Sequence, residues 1–202
     1  MSISVEYNNK EINQIIMENV LRMMERRTLI ASWLDEYNKL EDITTRSVFM
    51  IRLIDNTDYS IYLISAKLSS IVQGTPLDDY LSNNIDIHKI IIARDVAKKV
   101  VKQIVSEYKN AEFFFESEML EDIPAKSFIP IHQLISQDEK DELLSKFAES
   151  DLARILLTDI MARYYGAKIG DIFRIIRPSS AAGKNIFYRK VTNGSWDILF
   201  KS

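Results

Sequence analysis

The chain has 202 residues, of which 47% are hydrophobic and 27% charged, a balance typical of soluble globular proteins with one large or two small domains. It contains no cysteine, which excludes disulfide scaffolds, thiolate metal sites and cysteine nucleophiles and suits an intracellular location. No stretch approaches the roughly 20 apolar residues of a membrane span, and the first ten residues lack the pattern of a secretory signal.

The net charge of -3 is distributed unevenly along the chain. Residues 126–202 contain 12 basic and 9 acidic side chains, whereas residues 1–125 contain 14 basic and 20 acidic ones. Neither part is basic enough to bind nucleic acid strongly by neutralising phosphates. The pattern therefore favours a protein partner.

The first predicted element is an amphipathic helix within residues 11–30, where apolar side chains recur at helical spacing. Further along, the runs Ser47–Ile54 and Tyr59–Ser65 are rich in β-branched and aromatic residues. They flank an Asp-Asn-Thr-Asp turn, which predicts a β-hairpin.

A Thr-Pro step at residues 75–76 predicts the N-cap and first residue of a short helix. Residues 87–93 then predict a buried strand, residues 96–108 a helix and residues 111–115 another strand. This order favours parallel strands joined by a helical crossover, and hence an α/β domain with a mixed sheet.

We place a domain boundary near Asp122–Lys126, where prolines interrupt the periodicity and the charge balance changes sign. This gives an N-terminal domain of residues 1–125 and a C-terminal domain of residues 126–202.

Phe128–Ile135 predicts a strand. Ser136 and Glu139 form a capping-box pattern that starts a helix through Phe147, with Leu143, Leu144 and Phe147 on its buried face.

The segment Asp151–Val191 predicts a short helix closed by glycine, a tight turn, and two strands joined by a Pro-Ser-Ala-Gly loop. It contains no nucleophile–base pair, phosphate-binding loop or metal-ligand cluster. It does contain five arginines, whose planar guanidinium groups suit interfaces. The segment therefore indicates a surface that another protein binds.

From Ile129 to Val191 the chain resembles the assembly domain of the fifth common subunit of the eukaryotic nuclear RNA polymerases and of its archaeal counterpart. The matching positions, in order, are Pro130, His132, Arg154-Ile155, Asp159, Ala162-Arg163-Tyr164, Gly166, Gly170, Ile175-Ile176-Arg177-Pro178-Ser179, Ala182-Gly183 and Tyr188-Arg189. The N-terminal half resembles the jaw domain of the eukaryotic form more weakly, best at Phe113-Phe114-Phe115-Glu116 through Ile123.

The resemblance implies an α+β or α/β protein of two domains. One is a mixed-sheet jaw domain with flanking helices, and the other is a small α/β assembly domain with a short mixed sheet. It also implies a non-catalytic polymerase subunit without cofactor, metal, membrane or small-molecule substrate. The partners would be the largest polymerase subunit, neighbouring subunits and, through the jaw, downstream duplex DNA. Its location would be the transcription machinery, in the nucleus of a cellular eukaryote or in the host cytoplasm and virion of a virus.

The chain departs from the family at several positions. Ala153 and Ile160 stand where the family usually has proline, and Ala181 where it has threonine. An extension, Thr192–Ser202, runs past the usual end and includes Trp196 and Phe200. A sequence that diverges from the family and carries an extension favours an unusual lineage. We interpret its source as a large DNA virus that encodes its own polymerase.

Within the matching segment we expect two kinds of residue. Four shape turns: Gly166, Gly170, Pro178, which would end its strand, and Gly183. Those expected at a partner interface are Arg154, Arg163, Tyr164, Arg177, Ser179, Tyr188 and Arg189. For each arginine the alternative is a solvated surface side chain, and for Tyr164 and Tyr188 it is a place in the core.

Two other functions stay open at this point. One is a metal-dependent nuclease using Asp55 and Lys67, although the acid expected two residues before the lysine is missing. The other is an interaction module outside any polymerase. The two histidines, His88 and His132, are too few for a usual zinc site, and we interpret His132 as a hydrogen-bonded structural residue.

Overall fold

The computed structural model of the protein describes residues 9–83, 85–179 and 183–200, apart from the side chains of Asn9 and Ser179. The chain divides into two compact units, Met1–Glu121 and Asp122–Ser202, called here the first and the second unit.

The first unit contains five helices and four strands within its described residues. In chain order they are α1 (Asn9–Arg26), α2 (Trp33–Lys39), β1 (Val48–Arg52), β2 (Asp58–Ile64), α3 (Pro76–Ser82), β3 (His88–Ala93), α4 (Lys98–Glu107), β4 (Ala111–Phe115) and α5 (Glu116–Met119).

The sheet of the first unit has the order β1-β2-β3-β4. β1 and β2 form the predicted antiparallel hairpin, whereas β2, β3 and β4 run parallel to one another. Ile90, Ile91 and Ile92 are all buried in β3. Consecutive buried residues mean that both faces of this strand are covered, as in parallel sheets generally. The predicted strand–helix–strand order is confirmed.

Helix α1 supplies much of the core of the first unit. Met17, Val20, Leu21, Met23 and Met24 are all buried, whereas Glu18, Arg22 and Glu25 are partly exposed and form the polar side of the helix. A helix with such an apolar face is stable when other elements cover that face. It ends four residues earlier than the sequence pattern predicts, because Thr28 adopts a positive φ of 59°.

The second unit contains, within its described residues, β5 (Ile131–Leu134), α6 (Gln137–Lys146), β6 (Ala153–Leu156), α7 (Ile160–Tyr164), β7 (Ile172–Ser179) and β8 (Gly183–Thr192). Three short 3-10 helices lie at Ile123–Ala125, Glu149–Asp151 and Trp196–Phe200. The strand order is β5-β7-β8-β6, with β7 antiparallel to both β5 and β8 and β6 parallel to β8.

A small hydrophobic core holds this second sheet to α7 and the turn after it. Its buried members are Ile155, Ala162, Ala167, Phe173, Ile175 and Val191. The core draws on β6, α7, β7 and β8, so one face of the sheet is covered by the α7 segment. The predicted fold class, a mixed α and β protein with a mixed sheet in each part, is confirmed.

The predicted burial of Phe147 is wrong, because its side chain is 55% exposed. α6 ends at Lys146, and Phe147 is its C-cap with extended backbone angles of φ -132° and ψ 140°. The helical spacing that groups Phe147 with Leu143 therefore no longer applies at this residue. Leu143 is buried and Leu144 partly buried, as predicted.

The extension beyond Val191 packs against its own unit where it begins. A Cβ atom at Gly194 would lie 2.8 Å from the Thr158 hydroxyl oxygen and 3.1 Å from the Leu156 Cβ. Glycine is the residue that permits this close approach. No helix among the described residues is long and apolar enough to cross a membrane.

Candidate partner-binding surface

The hairpin of β7 and β8 presents apolar and cationic side chains to solvent. Ile186 and Phe187 are 55% and 47% exposed, and Arg177 is exposed beside them. The Arg177 guanidinium carbon lies 5.6 Å from the centre of the Phe187 ring. At this distance a cation interacts with an aromatic ring, so the two side chains form one continuous surface.

A groove of about 370 Å³ borders this hairpin, and we call it the hairpin groove. α6 and the chain leading into β6 form part of its wall, and β7 and β8 form the rest. The lining residues are Leu143, Phe147, Asp151, Leu152, Ala153, Ile175, Arg177, Ile186, Phe187, Tyr188 and Arg189. Phe147 and Phe187 are large apolar side chains exposed in this lining, and such exposure indicates a binding surface.

Three of the residues predicted for a partner interface lie together in this groove: Arg177, Tyr188 and Arg189. Arg154 is exposed on β6 and lines a neighbouring depression with Glu149 and Lys190. The side chain of Ser179 lies outside the described residues. Their role in binding a partner stays a prediction.

Two other predicted interface residues are in the interior of the second unit. Arg163 is 7% exposed and Tyr164 is 2% exposed, both on α7. The Arg163 Nε–H donates to the carbonyl oxygen of Thr158 at 3.3 Å, which ties α7 to the turn before it. The alternative interpretation of Tyr164 as a core residue is confirmed, and neither side chain belongs to the exposed surface.

Gly166 closes α7 as the sequence predicts. Its φ is 63°, and its N–H donates to the Arg163 carbonyl while the Ala167 N–H donates to the Ala162 carbonyl. This pair of bonds around a left-handed residue is the Schellman motif, which satisfies carbonyls at a helix end. This geometry is the one that the predicted turn role of Gly166 requires.

Of the other residues predicted to shape turns, Gly170 and Gly183 have the expected backbone conformation and Pro178 does not end its strand. Gly170 and Gly183 have φ values of 94° and 72°, which fits their predicted roles in the tight turn and at the start of β8. Pro178 does not end its strand, because β7 continues to Ser179 and Pro178 pairs with Lys184 of β8. The predicted Ala182 lies outside the described residues.

The sequence interpretation missed the apolar part of the surface, namely Phe147, Ile186 and Phe187. A signal was present, because Ile186 and Phe187 are adjacent in a strand. Adjacent strand residues point to opposite faces of a sheet, so a single buried face cannot cover both.

The first unit contains a polar cluster that joins α1 and the sheet. Arg27 donates two hydrogen bonds to the Glu112 carboxylate, at 2.8 and 2.7 Å, and His88 Nε2 lies 2.6 Å from the same carboxylate. Tyr59 stacks on His88 with ring centres 4.3 Å apart. Burial would raise the pKa of Glu112, but the Arg27 charge and the hydrogen bonds from His88 and Arg27 outweigh it. The pKa is lowered to about 2.

His132 is hydrogen-bonded in the second unit, as predicted. Its Nδ1–H donates to the Pro130 carbonyl oxygen at 2.7 Å, and its ring meets Phe173 edge-on at 5.8 Å. Burial lowers the pKa of this imidazole.

The residues considered for a nuclease serve local contacts instead. The Asp55 carboxylate accepts from the Thr57 N–H and hydroxyl at 2.9 and 2.7 Å within the β1–β2 turn. These bonds lower the pKa of Asp55. Lys67 pairs with Asp95 at 3.1 Å. Among the described residues, no group of three or more His, Cys, Asp or Glu side chains could hold a metal ion.

Comparison with known proteins gives consistent matches. A family model described as RNA polymerase Rpb5, C-terminal domain, matches residues 121–191. A Dictyostelium discoideum protein named DNA-directed RNA polymerases I, II, and III subunit rpabc1 is 30% identical over 194 residues, 89% of this chain and 98% of that protein. The mimivirus protein DNA-directed RNA polymerase subunit 5 is 28% identical over 199 residues, 94% of this chain and 96% of that protein. A Caenorhabditis elegans protein named subunit RPABC1 of the same three polymerases is 37% identical over 97 residues, about half of each chain.

These matches define a class, the subunits of multisubunit DNA-directed RNA polymerases. The chain belongs to the family of RNA polymerase subunit 5, also called Rpb5. The resemblance inferred from the residues of the second unit is therefore confirmed. A viral relative is among the matches, while the viral source of this chain stays a prediction.

Proposed function

We propose that the chain is a non-catalytic subunit of a multisubunit RNA polymerase that docks on the largest subunit through residues 126–202. The observation that carries this proposal is the hairpin groove, where Arg177 and Arg189 stand beside exposed Phe147, Ile186 and Phe187. An apolar centre with arginines resembles the anchor regions of protein interfaces. Neighbouring polymerase subunits are further partners.

The first unit is proposed to form part of the jaw beside downstream DNA. Residues 1–125 carry six more acidic than basic side chains. Such a surface would repel phosphates at close range, so guidance of the duplex or protein contact fits it better than tight DNA binding.

Co-purification tests the docking. The tagged chain, expressed in its native source, is expected to recover the two very large polymerase subunits. Recovery of other proteins without them would favour an interaction module outside any polymerase. A polymerase reconstituted without this chain that assembles and transcribes normally would contradict the proposal.

Arg177→Glu is expected to weaken association with the largest subunit by about tenfold or more, because it reverses a charge within the interface. The isolated variant should remain folded, since Arg177 is exposed. The matched control is Lys168→Glu, the same change of charge at an exposed turn residue outside the groove. Affinity measured by surface plasmon resonance should fall for Arg177→Glu alone, and equal binding would remove Arg177 from the interface.

Photo-crosslinking tests the jaw. Crosslinkers at exposed positions of the first unit, such as Met50 and Lys99, are placed in the reconstituted polymerase on a DNA template. Crosslinks to downstream duplex are expected from at least one such position. Crosslinks confined to upstream DNA would contradict the jaw assignment.

A further inference from the structure

Two neighbouring strands of the second sheet, β8 and β6, differ greatly in length. β8 has 10 residues and β6 has 4, and β6 pairs only with Arg189–Thr192 of β8. The preceding part of β8 therefore has β7 on one side. Among the described residues, no strand lies on its other side.

The direction of the backbone groups along β8 follows from its last residues. The Val191 N–H donates to the Asp171 carbonyl and the Val191 carbonyl accepts from the Gly170 N–H, just before β7 begins at Ile172. The Thr192 carbonyl accepts from the Leu157 N–H, on the β6 side. Backbone groups alternate between the two sides of a strand. The N–H and C=O groups of Lys184 and Ile186 therefore point away from β7.

Pro178 supports this assignment. It stands opposite Lys184, and proline has no N–H to give to a ladder. In an antiparallel ladder, every second pair of opposite residues exchanges no backbone hydrogen bonds. Proline at such a position removes no hydrogen bond of the ladder. The backbone groups of Lys184 are then directed to the open edge, as the alternation requires.

The hairpin groove lies along this open edge. Phe147 and Leu152 provide apolar wall, and the charged residues of the lining are two arginines, Arg177 and Arg189, and one acid, Asp151. An occupant must satisfy the outward N–H and C=O groups of β8, which an extended backbone does and a helix does not. The excess of arginine favours carboxylate side chains on that occupant.

We propose that an extended, acidic segment of the largest polymerase subunit binds the open edge of β8 as an added strand, in line with β6. This inference rests on the proposed docking and specifies how it occurs. The added strand pairs with Lys184–Tyr188 and places its apolar side chains in the hairpin groove. Its carboxylates meet Arg177 and Arg189.

Hydrogen–deuterium exchange with single-residue resolution tests the pairing, using the full chain alone and bound to the largest subunit of the same source. In the free chain, the amides of Lys184 and Ile186 should exchange fast, and those of Asn185 and Phe187 slowly, because the latter face β7. Binding should slow exchange at Ile186 by at least about tenfold. Binding with unchanged exchange at Lys184 and Ile186 would overturn the added strand and leave the docking intact. Failure of the wild-type chain to bind would contradict the docking itself.

Two substitutions at Ile186 distinguish the contribution of its backbone N–H to binding from that of its side chain. Ile186→Pro removes an outward N–H without removing a bond to β7, whereas Ile186→Ala keeps the N–H and removes only the side chain. We expect Ile186→Pro to weaken binding by at least about tenfold more than Ile186→Ala. Thermal unfolding checks that both variants fold, and the exchange experiment stands if the proline variant does not. Equal losses for the two variants would overturn the pairing.

A second copy of this chain is the competing occupant. Exchange of the Ile186 amide in the free chain would then slow as the concentration of the chain rises, and the largest subunit would slow it no further. This result would show self-pairing and overturn the proposal.

Discussion

At the scale of single residues, the carboxylate of Glu112 joins segments that are far apart in sequence. It lies on β4 and binds Arg27, after α1, and His88, at the start of β3. Three segments distant in sequence are thus fixed by one side chain. Both partners donate hydrogen bonds to the ionised carboxylate. The fold therefore stabilises the charged form of Glu112, and its pKa is lowered.

We expect Glu112→Gln to lower the free energy of unfolding by roughly 2–3 kcal/mol at pH 7, because Arg27 loses its charged partner. The folded pKa lies below the unfolded one. The contribution of Glu112 is therefore present above about pH 4.5 and is lost as pH falls toward 2. Urea unfolding should show the difference from wild type shrinking between pH 7 and pH 2.5. Asp42→Asn, in an exposed pair with Arg46 at 4.0 Å, should change stability by less than about 0.5 kcal/mol. A constant Glu112→Gln effect at both pH values would contradict this account.

At the scale of elements, capping decides where several segments begin and end. Thr75 accepts from the Asp78 N–H, and Ser136 and Glu139 form the predicted capping box, with each side chain bonded to the backbone of the other residue. These ends were predictable because the signal is local. Phe147 was not, since helical spacing cannot show that α6 stops at Lys146. Pro178 was not either, because only the register with β8 shows that its missing N–H is not needed.

Ser136→Ala is expected to destabilise the second unit by about 1 kcal/mol, because the Glu139 N–H at the start of α6 loses its acceptor. Ser145→Ala is the matched control, since the Ser145 hydroxyl donates only to a carbonyl within the same helix, that of Glu142. Thermal unfolding of the full chain should show a lower midpoint for the first variant and little change for the second. Equal midpoints for Ser136→Ala and wild type would remove the capping box as a source of stability.

At the scale of the whole molecule, the chain contains two units, and the second has its own hydrophobic core. The alternating order of strands and helices predicted the mixed sheet of the first unit, and the family resemblance implied that of the second. The resemblance of the second unit identified the family, because its turns and arginines occur in fixed order. The exposed groove was only partly predictable. Adjacent Ile186 and Phe187 indicated that one apolar side chain of β8 would be exposed, but hydrophobicity in a strand does not tell which side chains the fold leaves uncovered.

A fragment of residues 122–202 is expected to fold alone, because its core draws no residue from the first unit. It should unfold cooperatively on heating and compete with the full chain for the largest subunit. Circular dichroism and competition binding would measure both. A fragment that lacks a cooperative transition would show that the boundary near Asp122–Lys126 does not separate independent domains.

The unequal lengths of β6 and β8 also bear on how the free subunit behaves before assembly. An open strand edge invites pairing with any extended chain, including an identical one. Lys184 at this edge and Pro178 beside it are residue types that discourage such pairing. Repulsion between lysines weakens as salt rises. Excess subunit at high ionic strength should therefore self-associate more readily than at low ionic strength, so the supply of this chain in the cell would need to match that of its partner.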